Sequence, residues 1–422
     1  MLSPESQVNS RSSRIVIIGG GAAGYFAAIR AAELSPGSLV TLLEATRRVL
    51  TKVHLSGGGR CNVTHHCFEP VKLIENYPRG SRELRGAFTR FQPRDTVAWF
   101  ESRGVKLKVE SDGRMFPVTD QAATIATCLE TAAAKAGVKI NLGASVVKLQ
   151  RDELGEFTLT LKDGSEVKAD RLMIATGSAP VGLELAAGLG HKIEPHVPSL
   201  FTFNIKDQRL QDLSGVSFAD VSLTLQCSGS KKLERRGPML ITHWGLSGPA
   251  VLKLSAFGAV SLHSSGYQAN LQINCLPNMT PTQLDAALRQ YKNEHARRGV
   301  LKNGPFTDLP RRFWETLVTV VGISDDLTYA DLSRHQMERL VAELHAGSYQ
   351  ITGKGVFKDE FVSAGGITLK EVDFRTLESR LVPGLYFAGE VLAVDGITGG
   401  FNFQAAWTTA WIAGQAMVES LG

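Results

Sequence analysis

The residues best suited to chemistry stand near the N-terminus. Gly19-Gly20-Gly21-Ala22-Ala23-Gly24 reads G-x-G-x-x-G, and Glu44 follows Gly24 by twenty positions. This spacing suits capture of a dinucleotide by backbone groups. Gly19 lets the chain turn sharply. Gly21, without a side chain, lets a pyrophosphate approach the backbone, and Gly24 lets a helix pack close to a sheet. Ala22 and Ala23 open that helix, whose N-terminus offers unpaired N–H groups and a positive dipole end to phosphates. Glu44, followed by Ala45, would accept hydrogen bonds from both hydroxyls of an adenosine ribose. It would also repel a 2′-phosphate, which argues against NADP at this site. The motif alone does not separate FAD from NAD.

The elements that must position these residues are legible around them. The apolar run Ile15–Ile18 reads as a strand, the Ala-rich stretch through Leu34 as a helix, and Leu39–Leu43 as a second strand. Helices are expected near Arg94–Arg103 and Ala122–Ala136, and strands at Lys139–Leu142, near Ser145–Leu149, and at Glu156–Leu161 with a turn at Asp163-Gly164. The strand Arg171–Ala175 ends in Thr176-Gly177. A further buried strand, Leu385–Ala388, ends in Gly389-Glu390, and Gly399-Gly400-Phe401-Asn402 opens a long helix to about Met417. An acid after a glycine at a strand end can bind ribityl or phosphate-side hydroxyls. A second helix start can face the pyrimidine end of an isoalloxazine and stabilise charge on the reduced ring. Three such strand ends favour FAD. Val147, on the strand near Ser145–Leu149, completes the residues read as cofactor-binding.

Between the two stretches the pattern changes. Phe201, Phe203 and Ile205, then Val221 to Cys227, then Ala269 to Cys275 alternate with polar residues, as half-buried strands do. Thr280-Pro281-Thr282-Gln283 is a capping-box start. Helical segments follow near Pro310–Val321 and Tyr329–Leu344. The fold class is therefore α/β: a Rossmann-like domain over 14–194 and 351–422, split in sequence by a barrel-like part over 195–278 and a helical part over 279–350. Residues 1–13, polar and Ser-rich, read as a disordered lead-in.

The bulk numbers are ordinary for a globular chain of 422 residues, with 43% hydrophobic and 21% charged content. Lys and Arg number 46 against 41 Asp and Glu, and the net +5 does not call for nucleic acid. No apolar run reaches the roughly 18 residues of a membrane span. Five scattered cysteines without a C-x-x-C pair suggest reduced thiols and a cytoplasmic setting. No metal-ligand spacing is present, and the sequence carries no signal of oligomeric state.

Four segments bear a more specific resemblance: Leu55-Ser56-Gly57-Gly58-Gly59-Arg60-Cys61-Asn62-Val63-Thr64, Gly113-Arg114-Met115-Phe116-Pro117, Thr242-His243-Trp244-Gly245-Leu246-Ser247-Gly248-Pro249, and Gly389-Glu390-Val391-Leu392 through Asn402. With these, the chain resembles the BaiN/YhiN-like bacterial flavoproteins, also described as aminoacetone-oxidase-like FAD-binding enzymes, over nearly all of 13–418. The resemblance implies a FAD-binding domain of the glutathione-reductase type with an inserted β-barrel and a small helical subdomain. The chain departs at Ala393, where the family often has Asp, and at Phe401, where it often has Tyr.

In that setting Lys52, Arg60 and Asn62 would supply charge or hydrogen bonds to the pyrophosphate or flavin edge. Ser56, Gly57 and Gly58 would turn backbone N–H groups toward the ligand. Cys61 and Cys67 are spaced C-x5-C, unlike the C-x4-C of flavin disulfide reductases, so Cys61 is read as a buried structural thiol. His243 offers a proton donor or an anion ligand. The plainer reading is a histidine satisfied by hydrogen bonds at a barrel–domain contact.

The expected activity is that of a FAD-dependent oxidoreductase. The flavin would be reduced by NAD(P)H, bound transiently, or by a small organic substrate, and reoxidised by an acceptor the sequence does not name. A small-amine oxidase using oxygen and an RNA-associated flavoprotein are the alternatives. No residue is singled out as catalytic.

Overall fold

The computed structural model describes residues 12–355 and 362–421. Of the lead-in expected over 1–13, residues 1–11 lie outside the described residues. Two compact units divide the chain. One holds the described residues up to His196 and from Ala364 on, and the other those between.

The first unit is built on a seven-stranded sheet. Its order is Val372–Asp373, Glu378–Ser379, Leu385–Phe387, Arg171–Ile174, Arg14–Ile18, Leu39–Glu44, Lys139–Leu142. The last five run parallel, with Ile17 opposite both Leu42 and Met173. Their apolar runs are buried on both faces, as a parallel sheet requires. The helix Ala22–Leu34 is buried along most of its length, and the last helix, Phe401–Glu419, lies against it. Small residues set the approach: a Cβ on Gly414 would stand 2.7 Å from the Ala27 carbonyl oxygen. Phe26, Phe91, Trp99, Trp407 and Trp411 fill the space beside this contact. A separate three-stranded sheet holds Val146–Arg151, Phe157–Leu161 and Glu166–Ala169.

The second unit contains a closed six-stranded barrel: Phe203–Ile205, Gly245–Ser247, Leu233–Thr242, Ser217–Gln226, Ala269–Asn274 and Gly347–Lys354. Closure removes the free edges that an open antiparallel sheet would leave. Phe203, Val221, Leu223, Ile241 and Leu271 are among its buried core residues. The capping box at Thr280 forms, with Gln283 accepting from the Thr280 N–H at 2.8 Å. One element goes beyond the sequence reading, which took 195–278 as barrel-like and read no helix there. Pro249–Ser264 is a sixteen-residue helix packed on the barrel. Its apolar residues run all round it, so it shows no 3.6-residue stripe to recognise.

A buried relay ties down the sheet's antiparallel edge. Ser379 Oγ accepts from the N–H groups of Leu381 and Val382, at 3.0 and 2.8 Å. Its own proton is therefore donated to His191 Nε2 at 2.9 Å, which leaves Nδ1–H to donate to Glu371 at 3.2 Å. Burial holds the His191 pKa below its ordinary value, with Glu371 opposing. The folded protein thus resists a proton that the unfolded chain accepts at about pH 6.5. The expected outcome is a melting temperature that is flat above neutrality and declines as pH falls below about 6.5, toward the folded pKa. Thermal melts from pH 8 to pH 5.5 check this, and a decline of equal size in His191→Gln would show that the relay is not its source.

Candidate functional site

Four adjacent parallel strands end on one edge of the first sheet. Gly19–Gly21 follow Arg14–Ile18, Glu44 closes Leu39–Glu44, Thr176-Gly177 follow Arg171–Ile174, and Gly389-Glu390 follow Leu385–Phe387. The carboxyl edge of such a sheet, next to helix starts, is where ligands bind.

Each glycine of the first turn is distinguished by what surrounds it. A Cβ on Gly24 would lie 1.9 Å from the Gly19 carbonyl oxygen, and one on Gly20 would meet Glu44 at 2.9 Å. A Cβ on Gly21 would meet nothing within 4 Å, so the turn is open above this residue alone of the three. The helix it caps has no side-chain cap and no acid in its first turn. Glu44 Oε2 accepts from the Gly20 N–H and Oε1 from the Thr46 N–H, both at 2.8 Å. Each oxygen keeps a second lone pair for a ligand hydroxyl.

The next strand ends converge on this turn. A Cβ on Gly389 would come within 2.9 Å of Ala23 Cβ, and the Gly389 N–H donates to Thr409 Oγ1 on the last helix at 2.9 Å. Lys52 reaches Glu390 at 2.5 Å and Ser178 Oγ at 3.0 Å, over Gly177. Thr176 Oγ1 is buried with no hydrogen-bond partner among the described residues. Two residues that sequence reasoning missed join this group. Ser178 takes the Lys52 bond. His196, half-buried, has its pKa lowered by desolvation, in the field of Glu390 and Lys52. Neither lies in a recognisable motif.

The segment expected as a glycine-rich loop has more structure than that. Thr51 onward is helical, and the helix breaks at Ser56, after which Gly57, Gly58 and Gly59 all adopt positive φ. Gly58 and Gly59 face open space, whereas Gly57 sits against Phe116. Ser56 Oγ donates back to the Val53 carbonyl. Arg60 turns away from the expected anion: it pairs with Glu110 at 2.7 Å and lies over the Phe116 ring. Arg114 shares Glu110, so the Gly113–Pro117 segment is the platform for this pair. Cys61 is fully buried and its thiol is pushed up to about 12 by desolvation, and burial raises Cys67 too. Both are free thiols.

The last helix gathers the other end of the site. Its cap, Gly400, has φ +87°, and a Cβ there would stand 2.5 Å from the Thr64 carbonyl oxygen. Asn62 accepts from the Gly400 N–H at 2.9 Å and donates to the Thr64 carbonyl at 3.1 Å. Asn402 clasps both the N–H and the carbonyl of Gly396, at 2.8 and 2.9 Å. The Phe401 ring stacks on His65 and its carbonyl accepts from Tyr77 Oη at 2.7 Å. Asn62, Phe401 and Asn402 are thus spent by side chain on shaping the turn. What they leave toward a ligand is a helix start with no acid in its first turn and no side-chain cap.

Val147 sits apart on the small three-stranded sheet, 55% exposed, where the register shifts between Val146 and Lys148. His243 corrects an expectation: it is exposed in the turn before Gly245, edge-on to Trp244, rather than enclosed by hydrogen bonds. Among the described residues no cluster of three or more ligands could hold a metal, and no helix is long and apolar enough to cross a membrane.

Comparison with known proteins agrees with this frame. The model of the HI0933-like protein Rossmann domain family matches residues 13–416. The chain belongs to that family. With the HI0933-like proteins it is an FAD-dependent oxidoreductase. It is similar to a ribosomal RNA dihydrouridine synthase of Escherichia coli K12, 32% identical, covering 96% of this chain and 98% of that one. A second protein of that name, from Haemophilus influenzae, is 30% identical over 95% and 98%. A 3-dehydro-bile acid delta(4,6)-reductase of Clostridium scindens is 31% identical over 96% and 99%.

Proposed function

We propose that this HI0933-like protein reduces a carbon–carbon double bond conjugated to a carbonyl, with uridine in RNA as its first candidate substrate. Dihydrouridine synthesis saturates the uracil ring beside a carbonyl. A delta(4,6)-reductase acting on a 3-oxo compound saturates a double bond in conjugation with one. Relatives matched over nearly their whole length therefore share one reaction, although their substrates differ. That common chemistry supports the reading, and two relatives named for RNA dihydrouridine synthesis support RNA as the first candidate. A net charge of +5 is compatible with it.

The donor set fits FAD. The open backbone at Gly21 suits the pyrophosphate, and Glu44 suits the adenosine ribose. Lys52, Ser178 and Glu390 offer charge and hydrogen bonds to the ribityl chain. The helix start at Gly400, free of acids, would steady negative charge on the pyrimidine end of the ring. Bound FAD would supply a hydride to the carbon β to the carbonyl, and a proton from solvent would complete the α carbon. Buried Cys61, held as a thiol, takes no nucleophilic part. NADH or NADPH is the proposed donor.

The test is anaerobic. The FAD-loaded protein, bleached with NADH or NADPH, is mixed with unmodified ribosomal RNA or with a 4,6-dien-3-one steroid. Recovery of the flavin bands, with gain of two hydrogens by the acceptor in mass spectrometry, is expected. Bleaching by an amine alone, with recovery by oxygen alone, would overturn the proposal in favour of an oxidase.

A further inference from the structure

One row of residues on the outer face of the barrel has features of a recognition site. Asn204 lies directly opposite Gly245, and Gly245 directly opposite Thr242, across three neighbouring antiparallel strands. Residues so paired project from the same face of a sheet. Phe203, Ile205 and Ile241, their neighbours in sequence, belong to the core, which puts Asn204 and Thr242 on the outer face. Gly245 between them is buried and adds no side chain, so the two polar residues stand about 10 Å apart from Cα to Cα.

Both polar groups have an unused atom. Asn204 Nδ2 donates to the Lys354 carbonyl at 2.9 Å, and its Oδ1 is buried with no partner among the described residues. Thr242 Oγ1 is likewise buried and unpartnered there. Orphaned polar atoms cost free energy that a ligand group can return. Beside the row stands Trp244. Its indole Nε1 donates to Thr202 Oγ1 at 3.2 Å, and its carbonyl accepts from the Ile205 N–H at 3.0 Å, so the ring is held and half-buried.

The chemistry of this set is selective. The Asn204 oxygen only accepts, so it needs an N–H. The Thr242 hydroxyl can donate to a carbonyl. An N–H next to a C=O on one edge belongs to a lactam or an imide, as in guanine or uracil, and a fixed aromatic beside it offers a stacking face of the kind that proteins use for unpaired bases. A steroid ketone has the carbonyl but no N–H. We infer that Asn204 and Thr242 hold the imide edge of a uracil base, with Trp244 against the ring. This rests on the proposed reduction of a conjugated double bond and selects uracil among its substrates.

The test uses the full-length FAD-loaded protein and two labelled probes: an oligoadenylate with one central uridine, and the same oligomer with N3-methyluridine, which lacks the N–H. Wild type should bind the uridine probe about tenfold more tightly, the worth of one hydrogen bond. Asn204→Leu and Thr242→Val should bind the two probes alike, while Asn204→Asp, which keeps an acceptor, should retain the preference. Melting temperatures and flavin content of the variants exclude misfolding. Equal binding of the probes by wild type, or a preference that survives Asn204→Leu, overturns the assignment. The same follows if Thr242→Val weakens binding of a 4,6-dien-3-one steroid while wild type shows no preference for the N3–H. Reduction of the double bond without that preference defeats this inference alone. A preference without reduction defeats only the proposed reaction.

Discussion

Gly21→Val is expected to yield a folded protein that cannot hold flavin. Gly21 has extended backbone, φ −89° and ψ −171°, which valine adopts without strain, and its Cβ position is empty to 4 Å. Nothing in the protein resists the side chain. What resists it is the ligand, because the open space above Gly21 is where a pyrophosphate must approach the N–H groups of the first helix. A branched side chain there should weaken FAD on the order of 100-fold, about 3 kcal/mol. The apoprotein's melting temperature should stay within about 2 °C, as for a surface substitution. Gly24→Val is the contrasting control: its Cβ would lie 1.9 Å from the Gly19 carbonyl, and the helix would have to leave the sheet. Flavin titration and apoprotein melts of the two variants separate the roles. Stoichiometric tight-bound flavin in Gly21→Val would sink the assignment of this turn to the pyrophosphate.

The same contrast explains what could be read before any fold was known. The first turn was legible because its constraints are local: strand, glycine spacing, helix and acid lie within one βαβ unit. Gly389-Glu390 and Gly400 were legible for the same reason, each being a strand end or a helix start. Arg60 was not. Its type and place next to three glycines suggested an anion ligand, but Glu110, fifty residues on, takes its charge. Asn62 and Asn402 were identified as site residues, yet their side chains are consumed in holding Gly400 and Gly396. Whether a polar side chain faces a ligand or the protein is decided by partners distant in sequence, which periodicity does not report. The helix Pro249–Ser264 escaped for a different reason, since its apolar residues run all round it, with Val260 on the exposed side, and leave no polar face to mark its period.

The second large effect is expected at Asp395, and it concerns how the far helix start is held. Asp395 is 1% exposed and grips Arg79 through both carboxylate oxygens. The pair is one of several ties between two segments more than 300 residues apart. Ile397 N–H donates to the Asn76 carbonyl at 2.9 Å, Tyr77 Oη donates to the Phe401 carbonyl at 2.7 Å, and a Cβ on Gly80 would strike Val394. Together they fix the turn that delivers Gly400. Removing one partner of a buried ion pair strands the other charge and costs about 3–5 kcal/mol. Asp395→Ala should therefore lower the melting temperature by on the order of 10 °C. It should also weaken flavin, because the last helix start loses its anchor. Replacing both partners, Arg79→Met with Asp395→Leu, removes the stranded charge and should recover much of the stability. A double-mutant cycle on apoprotein melts gives the coupling directly. Additive losses in the double variant would show that the two side chains do not act as a pair. Unchanged flavin affinity in Asp395→Ala would show that the Gly400 turn is held without them.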